Sequence, residues 1–322
     1  MGDIFLSIRG RVLINVEALN MTESIGNYVK HRRVPVMIRE NGGYAVYFVP
    51  AISGESIAHG FQEVLAESAV NGGLKIPVCR LCSKGVFLKS TNEGVFKAAF
   101  GVDVPKDDYE LEKTVIENCI VEDVGGFLYA AGERNVKRTS NFYVGYMIPV
   151  SESLRNVVIE PQLQTRYALG TQFVKRREER GQMIYYVELS SAPYIFSFDL
   201  DTKNIGKTAF IVDKSGSQVS NRIERIKTTL HALQKFLLEF MFGAKKTRFL
   251  PVVDWESILI SVSDDVWTVP SSFSINYIEK SKAKREKISH NTSLYIYDGR
   301  EGSFEETVIN AISDAEKRVG KM

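Results

Sequence analysis

From Ile4 to Asn20 the chain alternates with a period of two, for longer than an ordinary strand lasts. Ile8, Val12, Ile14 and Val16 fall on one side. Arg9, Arg11, Asn15 and Glu17 fall on the other, and only Leu13 breaks the polar row. Such a run predicts a strand whose apolar side covers a core. Arg and Asn in the middle of the opposite side fit either plain solvent exposure or a surface for a polyanion.

The remaining elements follow from turn chemistry and periodicity. Val36-Met37-Ile38 and Tyr44 to Phe48 flank Asn41-Gly42-Gly43, which predicts a hairpin over 34–49 because that turn needs positive φ. Gly54 to Ala69 predicts a helix capped by Ser53, with Ile57, Phe61, Val64, Leu65 and Ala69 on one face and Asn71-Gly72-Gly73 as its stop. Asn141–Val150, Gln182–Leu189, Tyr194–Leu200 and Glu256–Val262 read as strands, the middle two joined by Ser190-Ser191-Ala192-Pro193. Asn221 to Phe242 is the clearest helix: Ile223, Ile226, Leu230, Leu233, Leu237 and Phe240 recur at helical spacing, and Gly243 ends it. A last amphipathic helix covers Phe304–Val319. Gly85–Glu122, interrupted by Pro105, reads as an insertion outside the core.

Without insertions the order is strand, helix, strand, strand, helix, strand. That predicts an α+β fold with a ferredoxin-like, RNA-recognition-type core (βαββαβ), a sheet carrying two helices on one face. One core is expected across residues 1–322, with insertion lobes over about 70–140 and 155–182.

Forty-one basic and thirty-nine acidic residues leave a net charge of +2, too little to coat duplex DNA by bulk charge. A nucleic-acid surface must then be local, and the basic residues do cluster, at Lys30–Arg33, Arg134–Arg138, Lys175–Arg180, Lys245–Arg248 and Lys282–Lys287. No apolar run nears membrane-spanning length, so no membrane partner is expected. Three cysteines, Cys79, Cys82 and Cys119, are too sparse for a disulfide framework and fit a reducing compartment, so a cytoplasmic location is expected.

Lys30-His31-Arg32-Arg33, just after Gly26-Asn27, is the leading candidate for phosphate contact; a solvated basic loop is the competing reading. At Ser53-Gly54-Glu55-Ser56 a helix start can cap itself through Ser53 and still offer amides to an anion, with His59 one turn on along the polar face. Lys245, Lys246 and Arg248 follow the long helix, where cations either meet RNA or complement the dipole. Lys137 and Arg138 lie in a further basic run. Gln162–Arg180 is polar and basic, and Gln164, Arg166, Tyr167 and Phe173 could contact bases there, unless it is a plain surface loop. Arg9 and Asn15 complete the set from the first strand. That strand lacks the aromatic pair that stacks bases, so holding a backbone fits better than reading sequence.

Cys79-Arg80-Leu81-Cys82 has metal-binding spacing, but no second Cys or His pair follows to complete four ligands, so no metal is expected. Asp103, Asp107 and Asp108 read as a solvated acidic loop. There is no Walker loop, nucleophile elbow or dinucleotide fingerprint, and neither cofactor nor catalytic residue is expected.

Five stretches carry a family resemblance: Arg9–Asn20, Gly26–Pro35, Pro50–Gly60, Val121–Leu128 and Val136–Pro149. They resemble the archaeal backbone subunit of type I-A CRISPR surveillance complexes, in the DevR group of the RAMP superfamily. The resemblance spans nearly the whole chain and is weakest over Gly85–Asp108 and at the C-terminal end. Gln162 and Gln164 stand where relatives often carry histidine. The resemblance implies a non-catalytic subunit that binds single-stranded CRISPR RNA and presents the guide to target DNA. It also implies a helical row of copies, other complex subunits as partners, and a projecting thumb, which is placed at Gln162–Arg180. The alternative is a repeat-processing endoribonuclease of the same superfamily, with His31 or His59 as general acid–base. Such enzymes usually carry a glycine-rich loop near the C-terminus, whereas only Gly299, Gly302 and Gly320 follow Pro270 here.

Overall fold

The computed structural model describes residues 2–167, 182–214, 216–288 and 290–320. β1 (Phe5–Glu17) leads into β2 (Met21–Ile25) and β3 (Tyr28–His31), then the hairpin of β4 (Arg33–Glu40) and β5 (Gly43–Pro50), and α1 (Gly54–Asn71). Three helices follow, α2 (Glu93–Phe100), α3 (Asp108–Asn118) and α4 (Ile120–Gly125), then the hairpin β6 (Phe127–Ala131) and β7 (Arg134–Arg138). β8 (Phe142–Val144), β9 (Val158–Tyr167) and β10 (Gln182–Asp201) precede α5 (Arg222–Glu239), β11 (Val252–Ser263), α6 (Tyr277–Glu286), β12 (Thr292–Tyr297) and α7 (Phe304–Gly320).

The main sheet has eight strands. Its path runs β12-β11-β1-β10-β3-β2, with β8 and β9 also paired to β10. β1 lies antiparallel to both β10 and β11, while β3 runs parallel to β10, so the sheet is mixed. One face carries α1 and α5. Phe61 of α1 meets Phe142, Phe198 and Phe236 edge-on, at ring-centroid distances of 4.9, 5.0 and 5.9 Å. The opposite face is covered by residues 264–288, where Trp267, Val269 and Tyr277 pack on Leu259.

Five sequence expectations change. The polar side of β1 is not open. Arg11 donates to the Ser272 carbonyl and pairs with Glu152, Ser7 accepts from the Val269 amide, and this side anchors the second layer. Val16 is half exposed and Glu17 fully buried, the reverse of the alternation, because the register slips between Ile14 and Glu17 with Val16 at φ 58°. A bulge adds one residue, and every later side chain changes face.

Residues 182–189 and 194–200 form one strand, not two. Pro193 is tolerated in β10 because β9 has ended at Val158↔Ser191, so its missing N–H faces no ladder, while its carbonyl accepts from Val150. Only 142–144 of the expected strand Asn141–Val150 join the sheet as β8; Met147 and Pro149 make single bridges to Ile52 and Tyr194. Gly85–Glu122 carries α2, α3 and the start of α4, and Phe96, Leu111, Val115, Ile120 and Val121 belong to the main hydrophobic cluster. The β4–β5 hairpin closes as read, Asn41 and Gly42 both taking positive φ in a two-residue turn.

Candidate nucleic-acid interface

The end of β1, the start of β4, the N-terminus of α1 and the loop after α5 enclose a cleft of about 470 Å³. Asn20, Arg32, Ser53, Ser56, His59 and Lys246 line it, together with Glu55 and Glu63. Asn20 is the organiser: its side-chain oxygen accepts from Arg32 Nε and from the Ser53 amide, both at 2.8 Å. Ser53 in turn caps α1 by accepting from the Ser56 amide at 3.3 Å, so the positive end of the helix dipole faces the cleft. Gly243, at φ 84°, lets the loop that carries Lys246 close in. A Cβ there would stand 2.8 Å from the Leu19 carbonyl oxygen, and the next residue, Ala244, donates to that same carbonyl.

Arg32 is half buried, lies 6.0 Å from the Tyr146 ring centroid, and has no carboxylate within ion-pairing distance among the described residues. Its neighbours differ. Lys30 pairs with Glu23 at 3.3 Å and Arg33 with Glu188 at 2.9 Å, although both side chains stay well exposed. Asn27 donates to the Ile184 carbonyl, fastening its turn to β10. His59 is exposed, 3.4 Å from Glu63, and its ring packs on Phe87.

His31 is a correction. Its side chain is fully buried, with Nε2 at 2.5 Å from Glu17 and Nδ1 at 2.9 Å from the Arg32 carbonyl. Glu17 is further held by the Tyr194 hydroxyl and the Leu19 amide. Burial alone would lower the His31 pKa, but the hydrogen bond and charge of Glu17 outweigh it and raise the value above 6.5. This histidine locks strands together and cannot reach a phosphodiester.

Arg138 is a second correction. Its guanidinium is ion-paired in the core with Glu112 at 3.0 Å and Asp123 at 2.6 Å, while Asp123 also holds Arg225 at 3.2 Å. Arg9 is likewise spent, in a bidentate pair with Asp199 at 2.7 and 3.0 Å. Asn15 is half buried beside β11, and Lys137, on β7, is exposed away from the cleft. Lys245 and Arg248 are exposed on the same loop, on either side of Lys246. Gln164 sits on β9 opposite Tyr185. The side chain of Arg166, Phe173 and the rest of 168–181 lie outside the described residues.

Sequence reading missed Asn20 and Tyr146. Neither stands in a basic run, and only the fold brings them to Arg32.

Comparison with known proteins bears on these stretches. The family described as CRISPR-associated negative auto-regulator DevR/Csa2 matches residues 8–282. The chain belongs to this family. The DevR/Csa2 chain is 38% identical over 271 residues to the CRISPR-associated protein Cas7/Csa2 1 of Saccharolobus solfataricus, covering 84% of this chain and 82% of that one. It is also 38% identical over 260 residues to the same organism's CRISPR-associated aCascade subunit Cas7/Csa2 2, covering 79% and 78%. A chain of a solved CRISPR RNA-guided surveillance complex, pre-nicking, shares the fold at TM-score 0.51 and 8% identity, over 97% of this chain and 100% of its own. Among the described residues, no helix is long and apolar enough to cross a membrane. Asn20, Arg32, Ser53 and Tyr146 each come from a different one of the stretches that carried the family resemblance, and the fold gathers the first three at the cleft with Tyr146 beside Arg32.

Proposed function

We propose that this chain is a non-catalytic backbone subunit that holds single-stranded CRISPR RNA within a surveillance complex and displays the guide to target DNA. The family match over residues 8–282 carries the reading. The cleft supplies its chemistry: Arg32 and Lys246 offer charge, Asn20 fixes Arg32, and the α1 N-terminus adds its dipole. None of these groups is arranged to read a base edge, so contact is with the RNA backbone. We read β1–α1–β8–β10–α5–β11, with sheet order β11-β1-β10-β8, as the ferredoxin-like core, and β9–β10 as the root of the thumb. Burial of His31 disfavours the endoribonuclease alternative, which would then rest on His59.

Copies are proposed to line up along the RNA. The outward face of the β4–β5 hairpin supports a contact between neighbours or with other subunits: Pro35/Phe48, Met37/Val46 and Arg39/Tyr44 form three cross-strand pairs, and Met37, Tyr44 and Phe48 are each more than 60% exposed.

Fluorescence anisotropy with a labelled guide RNA and a scrambled RNA of equal length tests the reading. Both should bind alike, with affinity falling with salt at a log–log slope of about −0.7 per neutralised phosphate. Arg32→Ala should weaken binding and reduce that slope by about 0.7, and Arg32→Ala with Lys246→Ala should reduce it by about twice that. A strong sequence preference, or an unchanged slope in the double variant, would refute the assignment of this cleft.

A further inference from the structure

Beside α1 the fold assembles three cysteines that sequence spacing keeps apart. Cys79 and Cys82 bracket one tight turn, and Cys119 arrives from the junction of α3 and α4. Their sulfurs all lie within 4.8 Å of one another, and all three residues are buried and free of disulfide. The Ile120 amide donates to the Pro77 carbonyl at 2.9 Å, which holds the two segments together. The Cys82 amide donates to Cys79 Sγ at 3.4 Å, an arrangement that favours a thiolate at that sulfur.

A fourth group borders the cluster at Cys82. Glu122, one turn along α4 from Cys119, is fully buried and places Oε1 at 2.8 Å from Cys82 Sγ. Oε1 also accepts from the Leu88 amide, but Oε2 has no hydrogen-bond partner. A buried carboxylate oxygen without a partner is costly and needs a reason.

We propose that Cys79, Cys82, Cys119 and Glu122 form a binding site for one zinc ion. Three thiolates and a carboxylate suit a tetrahedral, thiophilic divalent cation, and zinc would give the idle Glu122 oxygen its partner. A disulfide between two of the cysteines would leave both the third thiol and that oxygen unexplained. Sequence spacing left the Cys79/Cys82 pair two ligands short; the α3–α4 segment supplies them. A cleft of about 490 Å³ lined by Cys82, Ser83 and Gly85 gives the ion a way in. The site would pin the turn at 79–85 to α4, the same helix whose Asp123 ties down Arg138 and Arg225. Binding would displace the thiol protons to solvent.

The intact chain, purified without immobilised metal, should carry about one zinc per molecule by inductively coupled plasma mass spectrometry. Mercurial titration should release it, and chelation should lower the melting temperature. After removal of zinc and refolding with Co²⁺, intense thiolate-to-cobalt absorption in the near ultraviolet and visible bands of a tetrahedral ion are expected. Cys119→Ser should lose most of that absorption. Glu122→Gln should keep the three-thiolate absorption but shift the visible bands and weaken zinc binding by more than about tenfold. The wild-type readouts do not depend on any variant folding. Failure of the refolded wild type to take up equimolar zinc or cobalt would overturn the proposal, as would a Cys79–Cys82 disulfide found by alkylation and mass spectrometry. Wild-type affinity in Glu122→Gln would remove the carboxylate from the site.

Discussion

Arg32 and Arg138 are the same residue type in similar basic runs, yet they meet opposite fates. Arg32 has an asparagine and an aromatic ring for company and faces a cleft; Arg138 has two carboxylates and a buried setting. Breaking a buried pair strands the other charges, so Arg138→Ala should lower stability by about 3–5 kcal/mol in denaturant titrations. Arg32→Ala should change it by only about 1 kcal/mol, since one hydrogen bond to Asn20 and no ion pair is lost. Comparable losses for both would mean that Arg32 is structural. His31 makes a separate prediction about pH. Its folded pKa lies above the ordinary 6.5 because Glu17 favours the protonated ring. The stabilisation is therefore fully present below about pH 6.5 and is lost as pH rises through the folded value. The melting temperature should fall across that alkaline limb, and the fall should flatten in His31→Gln paired with Glu17→Gln. A wild-type profile no steeper than that of the double variant would sink this account.

Among the elements, the β4–β5 hairpin sets its register with its own turn and buries only one face: Val36 and Val49 pack with Leu154, leaving the pairs around Met37 outside. Because that outer face touches no core, replacing Met37 and Phe48 by Lys should leave the melting temperature nearly unchanged. Self-association of the chain on a long RNA, followed by sedimentation velocity, should drop markedly while binding of a short RNA persists. Undiminished assembly would place the neighbour contact elsewhere. α6 shows what sequence periodicity cannot find. It buries only Tyr277 and Ser281, so no apolar stripe announces it, and the contacts of Tyr277 with Leu259 and of its hydroxyl with Ser257 hold it in place.

At the scale of the molecule, the helical layer, the sheet and the 264–288 layer leave ligand chemistry to the edges where loops meet. With His31 sealed inside, the endoribonuclease alternative falls to His59, exposed and close to Glu63. CRISPR repeat RNA should accordingly remain intact on gels after prolonged incubation, with or without magnesium. Cleavage products that vanish in His59→Ala would transfer the case to the endoribonuclease reading.

Sequence alone determined the local facts: the long first strand, the Asn41-Gly42 turn, the Ser53 cap, the body of α5 (though it stops at Glu239, capped by Phe240 in the left-handed region, and not at Gly243), and the family through its ordered motifs. Each depends on residues within a turn or two of one another, where period and turn chemistry are enough. Which charges were free was decided only by the tertiary structure. Arg9 finds Asp199, Arg11 finds Glu152 and His31 finds Glu17 across large separations in the chain. The bulge at Val16 turned Glu17 inward, and the α3–α4 junction brought Cys119 to Cys79 and Cys82. Pairing of charge and gathering of ligands are non-local, because a side chain's solvent and partners are fixed by whatever element packs over it. Composition and spacing contain no record of that.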